Sequence, residues 1–131
     1  MKKLTEEWLK AAKDDLDVIA RILPDILLTH IVAFHAQQCV EKVFKALLEE
    51  YEIETPKIHR LLTLYGKVES FIDIEIELSL LQTLDALYID ARYPGDLGLL
   101  PNGRPSTSDA VKFYDFAQTV FVNAPRWARN S

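Results

Sequence analysis

The sequence predicts an all-α chain folded as an antiparallel, up-and-down bundle of four to five helices, with a long Gly/Pro-rich loop before the last helix. Three observations lead there. Apolar residues recur at spacings of three and four along most of the 131 residues. Three of the four glycines and three of the six prolines fall between Arg92 and Pro105, so one segment gathers most of the residues that interrupt helices. No alternating pattern longer than Ser70 to Leu78 competes, and the helical stripe beside it makes a strand the weaker reading there.

The elements follow in order. Leu4, Trp8, Ala12, Leu16, Ile19 and Leu23 lie along one stripe of a helix over about residues 5 to 23, with Thr5 as its N-cap and Pro24-Asp25 as its stop. Glu6 and Glu7 then face the positive end of its dipole. Val32, Ala36, Cys39, Val43, Leu47 and Tyr51 make a second stripe over about 30 to 52. Thr55-Pro56 reads as an N-cap followed by proline at the first helical position, opening a shorter helix with Ile58, Leu61, Leu62, Tyr65 and Val68. Ile74, Leu78, Leu81, Leu84 (or Asp85) and Tyr88 form a fourth stripe that ends at the loop. Ser106 to Asp109 supply caps for a last helix carrying Ala110, Phe113, Ala117, Val120 and Phe121, stopped by Pro125.

Composition narrows the function classes. A chain of this length, 49% apolar, is expected to form one domain over residues 1–131 and to bury roughly two thirds of its unfolded surface without a staple. Fifteen Lys and Arg against twenty Asp and Glu give a net charge of −5, and the pI of about 5.2 excludes a generally basic nucleic-acid binder while leaving room for a local basic cleft. Cys39 alone forms no internal disulfide, which fits a reducing, cytoplasmic setting. The first residues lack the apolar core of a signal peptide, and Pro24, Asp25 and His30 break the longest apolar stretch, so neither a leader nor a membrane association is expected.

Candidate chemistry begins with the histidines, His30, His35 and His59. His35 and Cys39 share a helix face at i,i+4, a metal-compatible spacing. The remaining ligands of a carboxylate-bridged site are missing, because Leu27, Val32 and Pro56 stand where Glu-x-x-His would need glutamate. A buried thiol beside a hydrogen-bonded histidine is the preferred reading, and no metal or cofactor is expected. Nucleophile-elbow and phosphate-loop motifs are absent. Asp14-Asp15 and Glu49-Glu50 read as solvated faces, and Glu41–Lys45 and Lys45–Glu49 as i,i+4 support on an exposed helix.

Four blocks of sequence are more specific. The run from Phe34 to Leu48, with Gln37-Gln38 and Glu41-Lys42 ahead of Lys45-Ala46-Leu47, closely resembles the long-helix signature of HEPN domains (higher eukaryote and prokaryote nucleotide-binding). Asp14-Asp15-Leu16, His59-Arg60-Leu61 and Tyr88 to Asp96, with its Arg92-Tyr93-Pro94, resemble the family's other blocks in family order. The length fits a small stand-alone prokaryotic member.

The resemblance implies a nucleotide- or RNA-binding protein, a homodimer, and a toxin–antitoxin-like pairing with a minimal nucleotidyltransferase. It makes Arg92 and Tyr93 the first site candidates. A guanidinium fork fits a phosphate edge and a phenol ring stacks on a base; the competing reading pairs Arg92 with a carboxylate of the bundle. Lys42, Lys45, Gln38 and His35 are the further nucleotide- or phosphate-binding candidates. Gln37 and Gln38 fit either a structural hydrogen bond at a helix contact or a ligand contact, and His59 reads as capping or packing. Family ribonucleases carry Arg-x(4–6)-His; after Arg92 those positions hold Leu97, Gly98 and Leu99. Catalysis would therefore need a displaced histidine, so a metal-independent endoribonuclease and a non-catalytic interaction module stand as alternatives.

Overall fold

The computed structural model describes residues 1–92, 100, 103–125 and 127, with side chains for all of these except Ala91 and Arg92. Five helices follow one another: α1 (Lys3–Ile22), α2 (Thr29–Glu50), α3 (Leu61–Val68), α4 (Leu78–Arg92) and α5 (Thr107–Asn123). A single 3-10 turn, Glu69–Phe71, extends α3. The all-helical bundle expected from spacing is therefore the fold. Ile72 and Pro125 form one isolated antiparallel bridge, and the described residues contain no strand. No described helix is long and apolar enough to cross a membrane.

The axis of the bundle is α2, which packs on α1, α3, α4 and α5. Its apolar positions are fully enclosed: Val40, Val43, Phe44, Leu47 and Leu48 are inaccessible to solvent. Such a helix is apolar over more than one stripe because it meets neighbours on several sides.

Helix starts depart from the local reading where a distant side chain outcompetes a local cap. Thr5 is not the N-cap of α1; Lys2 occupies that place, without a side-chain cap. The Thr5 hydroxyl instead donates to Glu50 Oε1 at 3.0 Å, and the Lys2 backbone N–H donates to the same oxygen at 3.0 Å. Antiparallel pairing of α1 with α2 puts the free amides of one end beside the last carboxylate of the other. The Lys2 amide, with Thr5 second, holds the Glu50 carboxyl below its ordinary value against the opposing effect of burial. By contrast, Ser106 caps α5 as expected, its hydroxyl accepting from the Asp109 N–H at 3.0 Å.

The end of α2 carries local strain. Glu52 adopts φ 57°, and the Ile53 N–H donates to the Leu48 carbonyl at 2.9 Å, the hydrogen bond of a Schellman ending. Glycine usually fills that position. A glutamate there costs backbone energy on the order of 1 kcal/mol, which its exposed ion pair with Lys2 at 3.0 Å offsets only weakly.

The start of α3 is the largest correction. Thr55-Pro56 does not open a helix; residues 53–60 run without helical structure and α3 begins at Leu61. The cap comes from α4. Asp85, 6% exposed, accepts the Leu61 N–H at 2.9 Å and the Leu62 N–H at 3.3 Å. The fourth stripe likewise becomes helical only at Leu78, leaving Ile74 in the connection.

Burial raises the Asp85 carboxyl above its ordinary value, partly offset by the two α3 amides, by Gln37 and by Arg60. A carboxyl raised in the folded state holds its proton more tightly there than in the unfolded chain. It therefore adds stability at low pH that is lost as the pH rises through its folded value. Asp85→Asn, neutral throughout, should abolish that loss. Urea unfolding at a series of pH values between 4 and 7 should show wild-type stability falling relative to the variant as pH rises. Asp85→Ala should cost about 1 kcal/mol at pH 4 through loss of the cap, and less as the pH rises.

Candidate functional site

Along α2, Gln37, Glu41 and Lys45 follow at i, i+4 and i+8, and all three are buried, at 0%, 4% and 6% exposure. The expected exposed i,i+4 support is thus a polar stripe inside the bundle. Its hub is Glu41. Lys45 Nζ lies 3.0 Å from Glu41 Oε2, and His59 Nδ1 lies 3.1 Å from the same oxygen. The Gln37 amide donates to the His59 carbonyl at 2.8 Å and accepts from Gln38 Nε2 at 2.8 Å. Both glutamines thus make hydrogen bonds within the chain, Gln37 to the segment before α3 and Gln38 inside α2. Lys45 also stands 5.5 Å from the Trp8 ring centre of α1, an approach that suits a desolvated cation.

A second polar set joins α1 to α2. Asp15 is 5% exposed, so the solvated face expected for Asp14-Asp15 fails at its second residue. His35 Nδ1 lies 2.8 Å from Asp15 Oδ1, and Lys42 Nζ lies 2.7 Å from Oδ2. Both carboxylate oxygens are engaged, which is how a buried Asp is tolerated. Two candidates, Lys42 and Lys45, thus have their charge matched by carboxylates of the subunit. Cys39 turns away into the core, its Sγ 4.0 Å from the Ala117 carbonyl, and burial pushes its thiol far above its ordinary value. Among the described residues no three His, Cys, Asp or Glu side chains gather into a set that could hold a metal ion.

Rings connect the two sets. Phe34 meets His35 edge-on, with centres 5.3 Å apart, and stacks on Tyr88 of α4 at 5.6 Å. The Tyr88 ring in turn lies 6.0 Å from His59. There the surface opens into a cleft of about 340 Å³ lined by His59, Arg60, Asp85, Tyr88 and Ile89. His59 and Arg60 are exposed because α3 starts only after them, so the chain presents both from an extended segment over the side of α4. Arg60 has no ion-pair partner among the described residues.

Each of His35 and His59 has Nδ1 against a buried carboxylate. In the tautomer that donates from Nδ1, the carboxylate fixes the ring and leaves Nε2 as an acceptor, the orientation used for proton transfer. Reading by sequence missed Asp15, Asp85 and Arg60. The i, i+4, i+8 polar spacing inside an otherwise apolar helix was the one available signal for the stripe. Of the first candidates, Arg92 ends α4 one turn beyond Tyr88, while its side chain and Tyr93 lie outside the described residues.

Lys45→Met should remove the cation from an enclosed carboxylate and destabilise the protein by about 3 kcal/mol or more, measured by urea unfolding. Adding Glu41→Gln to it should recover part of the loss, since the unpaired charge is then gone.

Neither a curated protein nor a solved structure matches the chain. The model of the HEPN domain, however, matches residues 5–123, from the first turn of α1 to the last residue of α5. The chain therefore belongs to the HEPN domain family.

Proposed function

We propose that the chain is a nucleotide- or RNA-binding protein whose ligand occupies the cleft lined by His59, Arg60, Asp85, Tyr88 and Ile89. Family membership supports a nucleotide- or RNA-related function in general. The observation that carries the particular reading is Arg60, an exposed guanidinium lining a cleft beside an exposed imidazole and without an ion pair among the described residues. Arginine recognises phosphate through two parallel hydrogen bonds, His59 offers a ring for a base, and Tyr88 with Ile89 supplies the apolar floor. Arg92, the last residue of α4, and Tyr93, next in sequence, serve in this reading as further phosphate and base contacts. His35, Gln38, Lys42 and Lys45 then act behind the cleft by holding its walls.

HEPN domains often dimerise, and this reading takes the chain as a homodimer. Its partner protein is a minimal nucleotidyltransferase in a toxin–antitoxin-like pair, as the family resemblance implies, and the single cysteine fits a cytoplasmic setting. With a net charge of −5, binding rests on a few local contacts and weakens steeply with salt.

The two histidine–carboxylate pairs favour a second reading, a metal-independent endoribonuclease in which His59 or His35 replaces the missing motif histidine.

Titration calorimetry with AMP and short single-stranded RNA tests both readings. Arg60→Ala and Arg92→Ala should each weaken binding about tenfold or more, the loss of a charge-assisted contact. Equal affinity of all three proteins overturns the site. RNA cleavage that survives a chelator and disappears in His59→Ala or His35→Ala supports the enzyme, and purified wild-type protein that cuts no RNA removes it.

A further inference from the structure

Next to the His59 cleft, and sharing lining residues with it, is a second hollow of about 350 Å³, lined by Arg60, Leu62, Gln82, Asp85, Ala86 and Ile89. Three residues, Arg60, Asp85 and Ile89, line both. Each hollow is near the lower end of the roughly 300–1,000 Å³ typical of a small-molecule site.

We propose that the two hollows form a site for two successive nucleotides of single-stranded RNA, with Arg60 on the phosphate between them and Gln82 reading the second base. The inference rests on the nucleotide reading of the first hollow and deepens it by naming an oligonucleotide rather than a mononucleotide as ligand. The groups that line the two hollows support it. The first hollow has the rings of His59 and Tyr88, both share the exposed guanidinium of Arg60, and the second has the apolar Leu62 and Ala86 with one exposed amide. A single strand presents base, then phosphate, then base, with unpaired base edges free to meet an amide that both donates and accepts.

Asp85 also lines both hollows, and an anion beside it is tolerable because its carboxyl is already engaged by the α3 amides of Leu61 and Leu62, by Gln37 and by the charge of Arg60. The outer wall of the second hollow comes from one turn of α4, where Gln82 and Ala86 are both exposed and separated by four residues.

The test compares AMP with the diribonucleotide ApA on the full chain, by calorimetry. AMP carries more negative charge, so a purely electrostatic site at Arg60 binds AMP at least as well. A two-nucleotide groove binds ApA about tenfold more tightly or better. Ala86→Trp, which fills the second hollow from an exposed helix position, should bring the ratio of the two affinities close to one. Gln82→Ala should lower it partway, while Val111→Ala on the far helix α5 should leave it at the wild-type value. Thermal melting of each variant reports that it is folded. If AMP binds and ApA binds no more tightly, or if Ala86→Trp leaves the ratio unchanged, the second subsite is wrong and the first-hollow reading survives. If neither ligand binds, the nucleotide reading itself falls and takes this inference with it.

Discussion

The carboxylate of Glu41 sits inside the bundle on its central helix, almost cut off from water. A charge in that position is tolerable only when its partners are brought to it, since the cost of desolvating an unpaired carboxylate exceeds what packing a helix recovers. Lys45 comes from the same helix one turn on. The other partner, His59, comes from the segment before α3, and the carbonyl of that same residue takes the Gln37 amide. The stripe on α2 therefore fixes where the chain passes after α2, and so which residues reach the surface beside α4.

From that constraint the candidate site follows. Because His59 is tied to α2 through both side chain and backbone, α3 starts late, and its first amides find their acceptor on Asp85 of α4 rather than on a preceding residue. His59 and Arg60 are left extended over the side of α4, with a cleft beneath them. The exposed polar groups of the site are thus the outer end of a network whose inner end is buried. Such a site is pre-organised by the core, which lowers the ordering cost of binding a small charged ligand.

The Asp15 set does the same at the other end of the ring chain. His35 and Lys42 are held against α1, and Phe34 carries the contact on to Tyr88. Two imidazoles backed by carboxylates flank one aromatic stack. That arrangement gives the chain two imidazoles, each with Nδ1 against a buried carboxylate, in places that the family's own motif spacing does not predict.

Spacing by itself located the five helices, though not where α3 and α4 begin, because burying an apolar stripe at a period near 3.6 is a local property of the chain. It also located the breaker-rich segment after Arg92 and the Ser106 cap, both written in neighbouring residues. Residue identity in four ordered blocks was enough to indicate the family. What the tertiary structure alone decided was the fate of the polar groups. Asp15 and Glu41 look like ordinary solvated helix charges until α1 and the segment before α3 close over them, and Thr5 looks like a cap until Glu50 arrives from the far end of α2. Asp85 becomes a cap only when α3 meets α4, and Arg60 becomes a binding candidate only because the segment before α3 leaves it exposed beside the cleft. A polar side chain is placed by whichever partner desolvates and pairs with it, and in an antiparallel bundle that partner is dozens of residues away in the chain.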